Sequence, residues 1–386
     1  IKMKKKILFI TGTRADFGKL KTLIQSVEIS NFFDVGIFIT GMHTLSKYGY
    51  TVDEVYKAIP EHRLQDGTRS VYVFHNQVLG EPMERILAST IDGLSRYLTE
   101  FVPDLIVVHG DRVEALAGAI VGALKNILVA HLEGGEVSGT IDELIRHAIT
   151  KMSHVHFVAN KSASKRLIQL GEKKENIYII GSPDIDLMMS KNLPTISEVK
   201  SYYDIPFEQY GVVIFHPVTT DIIDTRKCAN AISNAVLESN KNHVVIYPNN
   251  DQGCEEIFKE WEKFKNSKNI VLLPSMRVEY FLILLKNAKH LLGNSSAGVR
   301  ECPVYGINAI NVSSRQNGRF KSPCISNVDG DKENILGKIL ESWNSTKRYP
   351  RNLSFGKGNS AELFMNVIKN KDFWEKTTQK QFNDVF

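Results

Sequence analysis

The stretch Asp104-Leu-Ile-Val-Val-His-Gly-Asp111 decides the fold together with Asn126-Ile-Leu-Val-Ala-His-Leu-Glu133. Each stretch is apolar and rich in β-branched residues until it ends on a carboxylate, which is typical of a buried strand. The segment 112–125 between them has the length of one helix. The three segments predict a βαβ unit, whose parallel strands end at the same edge of the sheet. Because open parallel sheets bind ligands at that edge, we expect Asp111 and Glu133 to face one ligand site.

The bulk composition is that of an ordinary globular protein. The chain has 386 residues, of which 42% are hydrophobic and 24% charged, and this length favours two domains. The formal net charge of +5 is spread along the chain, and the compact basic run lies only at residues 2–6. We therefore expect no nucleic-acid partner, whereas a mild positive charge suits a small anionic ligand.

The sequence also predicts a cytoplasmic protein. No apolar run approaches the roughly 20 residues of a membrane helix, and Lys2-Met-Lys-Lys-Lys leads directly into a short strand, so we expect neither a membrane span nor a secretory leader. The four cysteines are scattered without the spacing of a metal site, and we expect them to be reduced thiols. They are Cys228, Cys254, Cys302 and Cys324.

Short apolar runs alternate with helix-length segments along both halves of the chain. This alternation predicts doubly wound parallel sheets in two Rossmann-like α/β domains, facing each other across a cleft that would hold a substrate. We place an N-terminal domain at 1–185, completed by a C-terminal helix at 366–386, and a C-terminal domain at 186–365, with the linker near 182–203. Strands are expected near residues 6–11, 34–40, 104–110, 126–132, 154–158, 177–180, 211–216, 243–247, 269–273, 290–293 and 307–312.

The segment 41–82 interrupts the alternation. It is long, aromatic and without clean periodicity, and it contains His43 and Gln77. Long irregular insertions are often lids or binding loops, so both residues are candidate ligand contacts. Irregular surface structure would explain the same composition equally well.

Residues 11–18, Thr-Gly-Thr-Arg-Ala-Asp-Phe-Gly, follow the first strand and open a helix. They lack the glycine spacing of a dinucleotide site and the Lys-Ser/Thr of a P-loop, which disfavours NAD binding and ATP hydrolysis. A helix N-terminus that carries Arg14 is a good phosphate site, and Asp16 is a further candidate ligand contact. The alternative is that Arg14 is a structural partner of Asp16 or of another acid.

A third acid follows Glu133 after a glycine-rich turn. Thr140 and Glu143 fit the S/T-x-x-E capping box, so a helix is predicted to begin here. Asp142 then lies in the first turn, where it would complement the helix dipole or pair with Arg146. The glycines favour a second interpretation, in which the chain turns sharply and brings Asp142 back toward Glu133.

Asp111, Glu133 and Asp142 would then form a cluster of three carboxylates. Like charges at short range raise the pKa of at least one member, which prepares one carboxylate as a base near neutral pH and another as an acid. A divalent metal site is the competing interpretation, although no further oxygen-ligand spacing supports it.

The second half of the chain carries candidate anion contacts at its strand ends. His216 ends one predicted strand, and the small residues 293–298 follow another and lead into a predicted helix start. Small residues let backbone N–H groups approach an anion closely. A diphosphate held by this half and by Arg14 would explain these features together. The candidate contacts in this half are His216, Ser295, Ser296, Glu301, Arg315 and Arg319.

Taken jointly, these motifs resemble the UDP-N-acetylglucosamine 2-epimerase family, whose fold is of the two-domain GT-B type. The resemblance covers nearly the whole chain and is strongest to the hydrolysing branch of bacterial sialic-acid pathways. The non-hydrolysing branch has Pro-Glu-Glu where this chain has residues 141–143, and Ser-Gly-Gly where it has residues 295–297. Besides residues 11–18, the motifs are Val-His-Gly-Asp-Arg (108–112), His-Leu-Glu-Gly-Gly-Glu-Val-Ser-Gly-Thr-Ile-Asp-Glu (131–143), Phe-His-Pro-Val-Thr-Thr (215–220), Tyr-Pro-Asn-Asn-Asp (247–251), Gly-Asn-Ser-Ser-Ala-Gly (293–298) and Ser-Arg-Gln-Asn-Gly-Arg (314–319).

The resemblance implies that UDP-N-acetylglucosamine and water give N-acetylmannosamine and UDP, with no metal or redox cofactor and a homodimeric enzyme. A base removes the C2 proton while UDP leaves C1 in an anti elimination, and water then adds to the 2-acetamidoglucal intermediate. Which acid is the base stays open. The family's catalytic acids map onto Asp111, Glu133 and Asp142, its phosphate and leaving-group contacts onto Arg14, His216, Ser295 and Ser296, and its ribose contact onto Glu301.

Three alternatives remain at this level. The same reaction on a UDP-2,4-diacetamido-trideoxyhexose, used for legionaminic acid, would differ in only a few pocket residues. A GT-B glycosyltransferase shares the fold and the UDP site but does not need three clustered acids. A non-catalytic nucleotide-sugar sensor would need neither Asp111 nor Asp142.

Overall fold

The computed structural model describes residues 4–138, 140–316, 318 and 320–384. The chain divides into two compact units, each with its own parallel sheet. Unit 1 comprises residues 1–136, 142–190 and 354–386, and unit 2 comprises residues 137–141 and 191–353. The doubly wound α/β architecture that the alternation predicted is confirmed in both units.

The sheet of unit 1 has seven strands in the described part of the chain, all parallel, in the order β3-β2-β1-β4-β5-β6-β7. Its strands are β1 (Lys5–Thr11), β2 (Phe33–Ile39), β3 (Val71–Val73), β4 (Leu105–His109), β5 (Leu128–Leu132), β6 (Val155–Val158) and β7 (Ile177–Ile179). The central strands are almost fully buried because helices cover the sheet, which is why they read as continuous apolar runs.

Helices connect these strands and place the functional loops. α1 begins at Arg14 because the Thr13 side chain accepts from the backbone of Asp16, and the Asp16 carboxylate accepts from Thr13 in return, which forms a capping box. The helices of this half are α1 (Arg14–Ser30), α2 (Val52–Ala58), α3 (Met83–Tyr97), α4 (Val113–Leu124), α5 (Ile141–Met152), α6 (Lys161–Gln169) and α7 (Pro183–Met188).

The sheet of unit 2 has six strands in the described residues, all parallel, in the order β10-β9-β8-β11-β12-β13. They are β8 (Gly211–Ile214), β9 (His243–Ile246), β10 (Ile270–Leu273), β11 (His290–Gly293), β12 (Asn308–Val312) and β13 (Ile325–Val328). The helices are α8 (Ile196–Tyr202), α9 (Ile222–Glu238), α10 (Cys254–Trp261), α11 (Val278–Lys286), α12 (Glu301–Tyr305) and α13 (Lys332–Asn344).

The C-terminal segment differs from the single helix predicted over 366–386. The structure has α14 (Ser360–Ile368) and α15 (Lys371–Trp374), and residues 375–384 are not helical. These last residues are mostly polar and have no apolar stripe for a helix to bury. They lie instead against other residues of unit 1, where Lys380 Nζ is 2.6 Å from the Glu172 carboxylate.

The sequence analysis also missed β3 and β13. β13 reads Ile-Ser-Asn-Val, which is half polar, and β3 has three residues, two of them exposed at the sheet edge. The segment 41–82 is therefore more regular than expected, since it holds two short 3-10 turns, α2 and β3. No helix in the part of the chain that the structure describes is long and apolar enough to cross a membrane.

Candidate active site

The predicted acids of unit 1 lie at the carboxyl edge of its sheet. Asp111 follows β4 by two residues and Glu133 follows β5 by one, and these strands are in-register neighbours up to the pair His109 and Leu132. β1, which leads to Arg14, is the next strand beyond β4. The topology therefore brings these chain segments to one edge, as the βαβ argument predicted.

Arg146 of α5 is the cation that the acids surround. Its side chain is fully buried, and its guanidinium group forms an ion pair with the Asp111 carboxylate. Burial acts to lower the pKa of Arg146, but the negative charges of Asp111, Glu136, Glu133 and Asp142 outweigh it and raise that pKa. The three acids singled out in the sequence thus act on one buried guanidinium group.

This arrangement corrects the electrostatic argument made from the sequence. From the sequence, the acids form a cluster of like charges, and Arg146 is only a neighbour of Asp142 on the same helix. In the structure Arg146 binds Asp111, which lies 35 residues away in the chain, and Arg146 Nη1 also donates to the Glu136 carbonyl at 3.2 Å. Repulsion among the carboxylates is therefore offset by their attraction to a shared cation.

Glu133 is the most constrained of the three acids. Its φ of 72° lies in the left-handed region, which is uncommon for a residue with a side chain and is often found at functional sites. The buried carboxylate oxygen Oε2 accepts from Lys19 Nζ at 3.1 Å, and His109 Nε2 lies 2.7 Å from the same oxygen. The sequence analysis missed Lys19 and His109, although His109 stands in the motif Val-His-Gly-Asp.

Arg14 begins α1, and its neighbour Asp16 has extensive contacts within its own loop. The two carboxylate oxygens of Asp16 accept from the Thr11 hydroxyl and from the backbone N–H groups of Gly12 (3.0 Å) and Thr13 (3.2 Å). These bonds give Asp16 a structural use in shaping the loop beside Arg14. Its assignment as a ligand contact remains a prediction.

His43 contacts the same loop through the Thr11 hydroxyl. It is fully buried, with Nε2 at 3.0 Å from the Thr11 hydroxyl and Nδ1 at 2.7 Å from the Thr51 hydroxyl. Since the Thr11 hydroxyl donates to Asp16, it accepts from His43 Nε2, and Nδ1 accepts from Thr51. Both ring nitrogens of His43 are thus occupied by protein groups.

Gln77 is buried, and in the part of the chain that is described neither atom of its side-chain amide has a hydrogen-bond partner. An unsatisfied buried amide costs free energy, so such a group is usually paired by a ligand or water. This is consistent with the predicted role of Gln77 as a ligand contact.

In unit 2, Asn294 organises the residues around His216. The Asn294 side chain accepts from the His216 backbone N–H at 2.7 Å and donates to the His216 carbonyl at 2.9 Å, which ties the ends of β8 and β11 together. His216 Nδ1 accepts from the Asn249 backbone N–H at 3.0 Å. The neutral ring therefore carries its proton on Nε2, which leaves that atom as a donor. The sequence analysis did not identify Asn294.

The remaining predicted anion contacts of unit 2 lie after β11 and β12. The small-residue turn predicted after β11 contains a 3-10 turn (Ser296–Gly298), and the helix that follows it is the five-residue α12. The Ser295 side chain accepts from the Ala297 backbone N–H at 3.3 Å.

Two further predicted contacts are buried or close to the Asn294 turn. Glu301 is the first residue of α12 and is largely buried. Arg315 Nη1 lies 3.5 Å from the Asn294 carbonyl. Arg319 lies outside the residues that the structure describes.

The competing metal interpretation gains no support from the geometry. Within residues 4–138, 140–316, 318 and 320–384, no group of three or more His, Cys, Asp or Glu side chains is arranged to hold a metal ion. Among the described contacts, Asp111 pairs with Arg146, and Glu133 lies close to Lys19 and His109.

The buried histidines predict that acid destabilises the protein. Burial lowers the pKa of His43 and of His243 to about 4, and that of His131 to about 3. In the unfolded chain the pKa of each histidine is about 6.5. Between this value and the lower pKa of the folded protein, the unfolded chain therefore binds more protons than the folded one. The free energy of unfolding is therefore unaffected by these groups well above pH 6.5 and decreases as the pH falls toward 4. At pH 5 the decrease is about 2 kcal/mol for each histidine.

Urea unfolding followed by circular dichroism at pH 5, 6, 7 and 8 measures this effect. The free energy of unfolding is expected to be nearly constant between pH 7 and 8 and to fall clearly between pH 6 and 5. Equal stability at pH 5 and pH 7 would contradict the neutral, buried state of these three rings.

Comparison with known proteins identifies the family of the chain. The family described as UDP-N-acetylglucosamine 2-epimerase matches residues 25–369. The UDP-N-acetylglucosamine 2-epimerase of Neisseria meningitidis serogroup B is 46% identical over 384 residues, covering 99% of both chains. The UDP-N,N'-diacetylbacillosamine 2-epimerase (hydrolyzing) of Legionella pneumophila is 33% identical over 368 residues, covering 95% of this chain and 96% of the relative.

A solved structure shows the same fold. The Methanocaldococcus jannaschii UDP-GlcNAc 2-epimerase, in complex with UDP-GlcNAc and UDP, superposes with a TM-score of 0.77 at 20% identity, covering 94% of this chain and 99% of that one. The protein is thus an α/β protein of the GT-B type, with an acid cluster at the sheet edge of one unit. By the family match and these relatives, the chain belongs to the UDP-N-acetylglucosamine 2-epimerase family.

Proposed function

We propose that the protein is a hydrolysing UDP-N-acetylglucosamine 2-epimerase, which converts UDP-N-acetylglucosamine and water to N-acetylmannosamine and UDP. The observation that carries the proposal is the set of acids gathered on the buried guanidinium group of Arg146 at the sheet edge of unit 1. We further propose that the enzyme works in the cytoplasm as a homodimer, for sialic-acid synthesis.

The chemistry requires a base, an acid and a stabilised leaving group. The base removes the proton from C2, the electron pair forms the C1–C2 double bond, and the C1–O bond to UDP breaks. Water then adds its oxygen to C1 and a proton returns to C2 on the opposite face, which inverts that centre. Two positioned carboxylates with different surroundings suit the two proton transfers.

The surroundings of the three acids differ in the way that this chemistry needs. Asp111 is paired with Arg146, while Glu133 is held by Lys19 and lies against His109. Asp142 is in the first turn of α5, and its charge acts on the guanidinium group of Arg146. Paired cations of this kind hold carboxylates in fixed positions, which is a condition for rapid proton transfer.

We assign the leaving group to unit 2. His216 offers Nε2 as a donor, and the small residues 293–298 form a turn in which backbone N–H groups can approach a phosphate. Ser295, Ser296 and Arg315 are proposed to stabilise the departing UDP, and Glu301 to accept from ribose hydroxyls. Stabilising the negative charge that develops on a leaving group is commonly the largest contribution to lowering the activation barrier of an enzyme reaction.

A UDP-2,4-diacetamido-trideoxyhexose is the second candidate substrate, because the Legionella relative is named for a diacetamido sugar. The greater identity to the Neisseria relative favours UDP-N-acetylglucosamine. The buried amide of Gln77 is a candidate for contact with an acetamido group, since it can both donate to and accept from such a group.

Incubation with UDP-N-acetylglucosamine in D2O, followed by NMR, tests the proposed function. The expected products are free N-acetylmannosamine with deuterium at C2 and UDP, because the C2 proton is exchanged during elimination and hydration. Recovery of an intact epimeric UDP-sugar would overturn the hydrolysing reaction. Turnover of the diacetamido analogue alone would change the substrate, and transfer of the sugar to an acceptor would favour a glycosyltransferase.

A further inference from the structure

His131 lies at the centre of the acid-bearing segments, yet the reaction proposed above assigns it no role. It is the fourth residue of β5, is fully buried and stands two residues before Glu133. Its ring contacts two other parts of unit 1. These contacts, rather than any contact with solvent, define what His131 can do.

Both ring nitrogens of His131 have hydrogen-bond partners. Nε2 lies 2.8 Å from the Gly110 carbonyl, and Nδ1 lies 3.1 Å from the Thr150 hydroxyl. A carbonyl oxygen can only accept, so Nε2 carries the proton and Nδ1 accepts from Thr150. Burial lowers the pKa of His131 to about 3, which agrees with a neutral ring in this tautomer.

The two partners belong to the segments that carry the other acids. Gly110 directly precedes Asp111, and its φ of 77° sets the turn from which Asp111 projects. Thr150 lies on α5, one helical turn beyond Arg146 and two turns beyond Asp142. The His131 ring therefore connects the segments of Asp111, of Glu133 and of Asp142 with Arg146.

The space around this connection is filled. A Cβ atom added to Gly134 would lie 3.1 Å from both His131 Nδ1 and Thr150 Oγ1. That is tighter than ordinary van der Waals contact, so the glycine leaves just enough room for the bond. The turn after Glu133 is thus packed directly against the His131–Thr150 hydrogen bond.

We propose that His131 is a positioning residue, which sets the mutual placement of Asp111, Glu133 and the α5 pair Asp142 and Arg146 through its bonds to Gly110 and Thr150. The catalytic consequence of this proposal rests on the function proposed above. Two fixed hydrogen bonds on a buried ring couple three chain segments, and displacement of a reacting group by about 1 Å can cost about 10²-fold in rate.

Two conservative variants separate the two bonds. His131→Gln keeps an amide donor near the position of Nε2 and so keeps the Gly110 contact, whereas His131→Asn keeps an acceptor near Nδ1 and so keeps the Thr150 contact. We expect kcat to fall about 10-fold to 100-fold in each variant, and further in His131→Ala. The KM for the UDP-sugar and the Kd for UDP are expected to change less than about threefold, because neither is set by the acid cluster.

His156 provides a matched control. It lies beside His131 in the sheet register and is equally buried. Its Nε2 lies 2.9 Å from the Glu172 carboxylate, so it does not bond the segments that carry Asp111, Glu133 or Asp142. His156→Asn is expected to lower the melting temperature about as much as His131→Asn while kcat stays within about twofold of the wild-type value. Equal loss of kcat in both variants would assign the effect to general destabilisation and overturn the proposal.

A double-variant comparison tests the Thr150 bond. Thr150→Val should lower kcat in the wild-type background and have little further effect in His131→Gln, because the bond is already lost there. Additive losses would show that Thr150 acts independently of His131.

The pH dependence of kcat distinguishes positioning from proton transfer. Since His131 is neutral throughout the working range, its variants should show a lower kcat with the same limbs of the profile. Loss of one limb would make His131 a catalytic acid or base instead.

Hydrogen exchange at residues 110–112 and in the first turn of α5 gives a readout that does not depend on turnover. We expect faster exchange at both places in His131→Asn and His131→Gln, but not in His156→Asn. If the wild type turns over no UDP-sugar, the proposed function fails, while this exchange pattern still decides the positioning role. Unchanged exchange in the His131 variants would overturn it.

Discussion

An Asp142→Asn variant is expected to lose about 10²–10⁴-fold in kcat while remaining folded, which is the range for removal of a general acid or base. The change keeps the size of the side chain and removes its charge and its capacity to exchange a proton. Asp142 is close enough to Arg146 to raise the pKa of the guanidinium group, so it acts on the same buried cation as the other acids. Steady-state release of UDP measures kcat.

The neighbouring acid Glu143 provides the matched control. Both residues lie in the first turn of α5, where either carboxylate complements the helix dipole by about 0.3–1 kcal/mol. Glu143 lies 3.5 Å from His147 and is not among the acids that raise the pKa of Arg146 most. Glu143→Gln should therefore match Asp142→Asn in stability and retain kcat. Full activity of Asp142→Asn would leave Asp142 with a capping role only.

Arg146→Met is expected to lower the free energy of unfolding by about 3–5 kcal/mol and to abolish activity. Methionine fills a similar volume, but it removes the buried guanidinium group that pairs with the Asp111 carboxylate and donates to the Glu136 carbonyl. Leaving buried polar groups unpaired is far more costly than losing an exposed ion pair. Urea unfolding at pH 7 measures the loss.

Arg96→Met is the surface comparison. Arg96 pairs with Asp92 on α3 with its side chain 80% exposed, so its removal should change the free energy of unfolding by less than about 1 kcal/mol. Adding Asp111→Asn to Arg146→Met should recover part of the lost stability, because one unpaired charge is removed. If Arg146→Met were as stable as Arg96→Met, the acids would not depend on Arg146.

The fold could be predicted because its signal is local. The strands ending near Asp111 and Glu133 are buried on both faces, so they read as apolar runs in the sequence. Strands without that burial, such as β13 with its adjacent Ser326 and Asn327, were missed. The C-terminal tail was wrongly predicted to be helical because the contacts that hold it are not visible in the local sequence. One of them, between Lys380 and Glu172, joins residues that are 208 positions apart in the chain.

The candidate site could be predicted in part. Strand ends and the glycine-rich turn pointed to Asp111, Glu133 and Asp142, and the structure places all three within electrostatic reach of Arg146. Asp16 and His43 are predicted ligand contacts, and the structure shows that both also bond the Thr11 hydroxyl. Sequence spacing does not tell whether a polar side chain points to a ligand or to its own backbone.

The sequence by itself determined that two parallel α/β sheets form and that acids follow neighbouring strands. The reason is local: strands buried on both faces are continuous apolar runs, and these runs alternate with helix-length segments along the chain. Only the tertiary structure decided what neutralises and places those acids. Arg146 reaches Asp111, Lys19 reaches Glu133, and His131 connects Gly110 with Thr150. These partners are distant in the chain and meet only when helix and strand pack, since a charge or ring buried at that depth must find its partner in three dimensions.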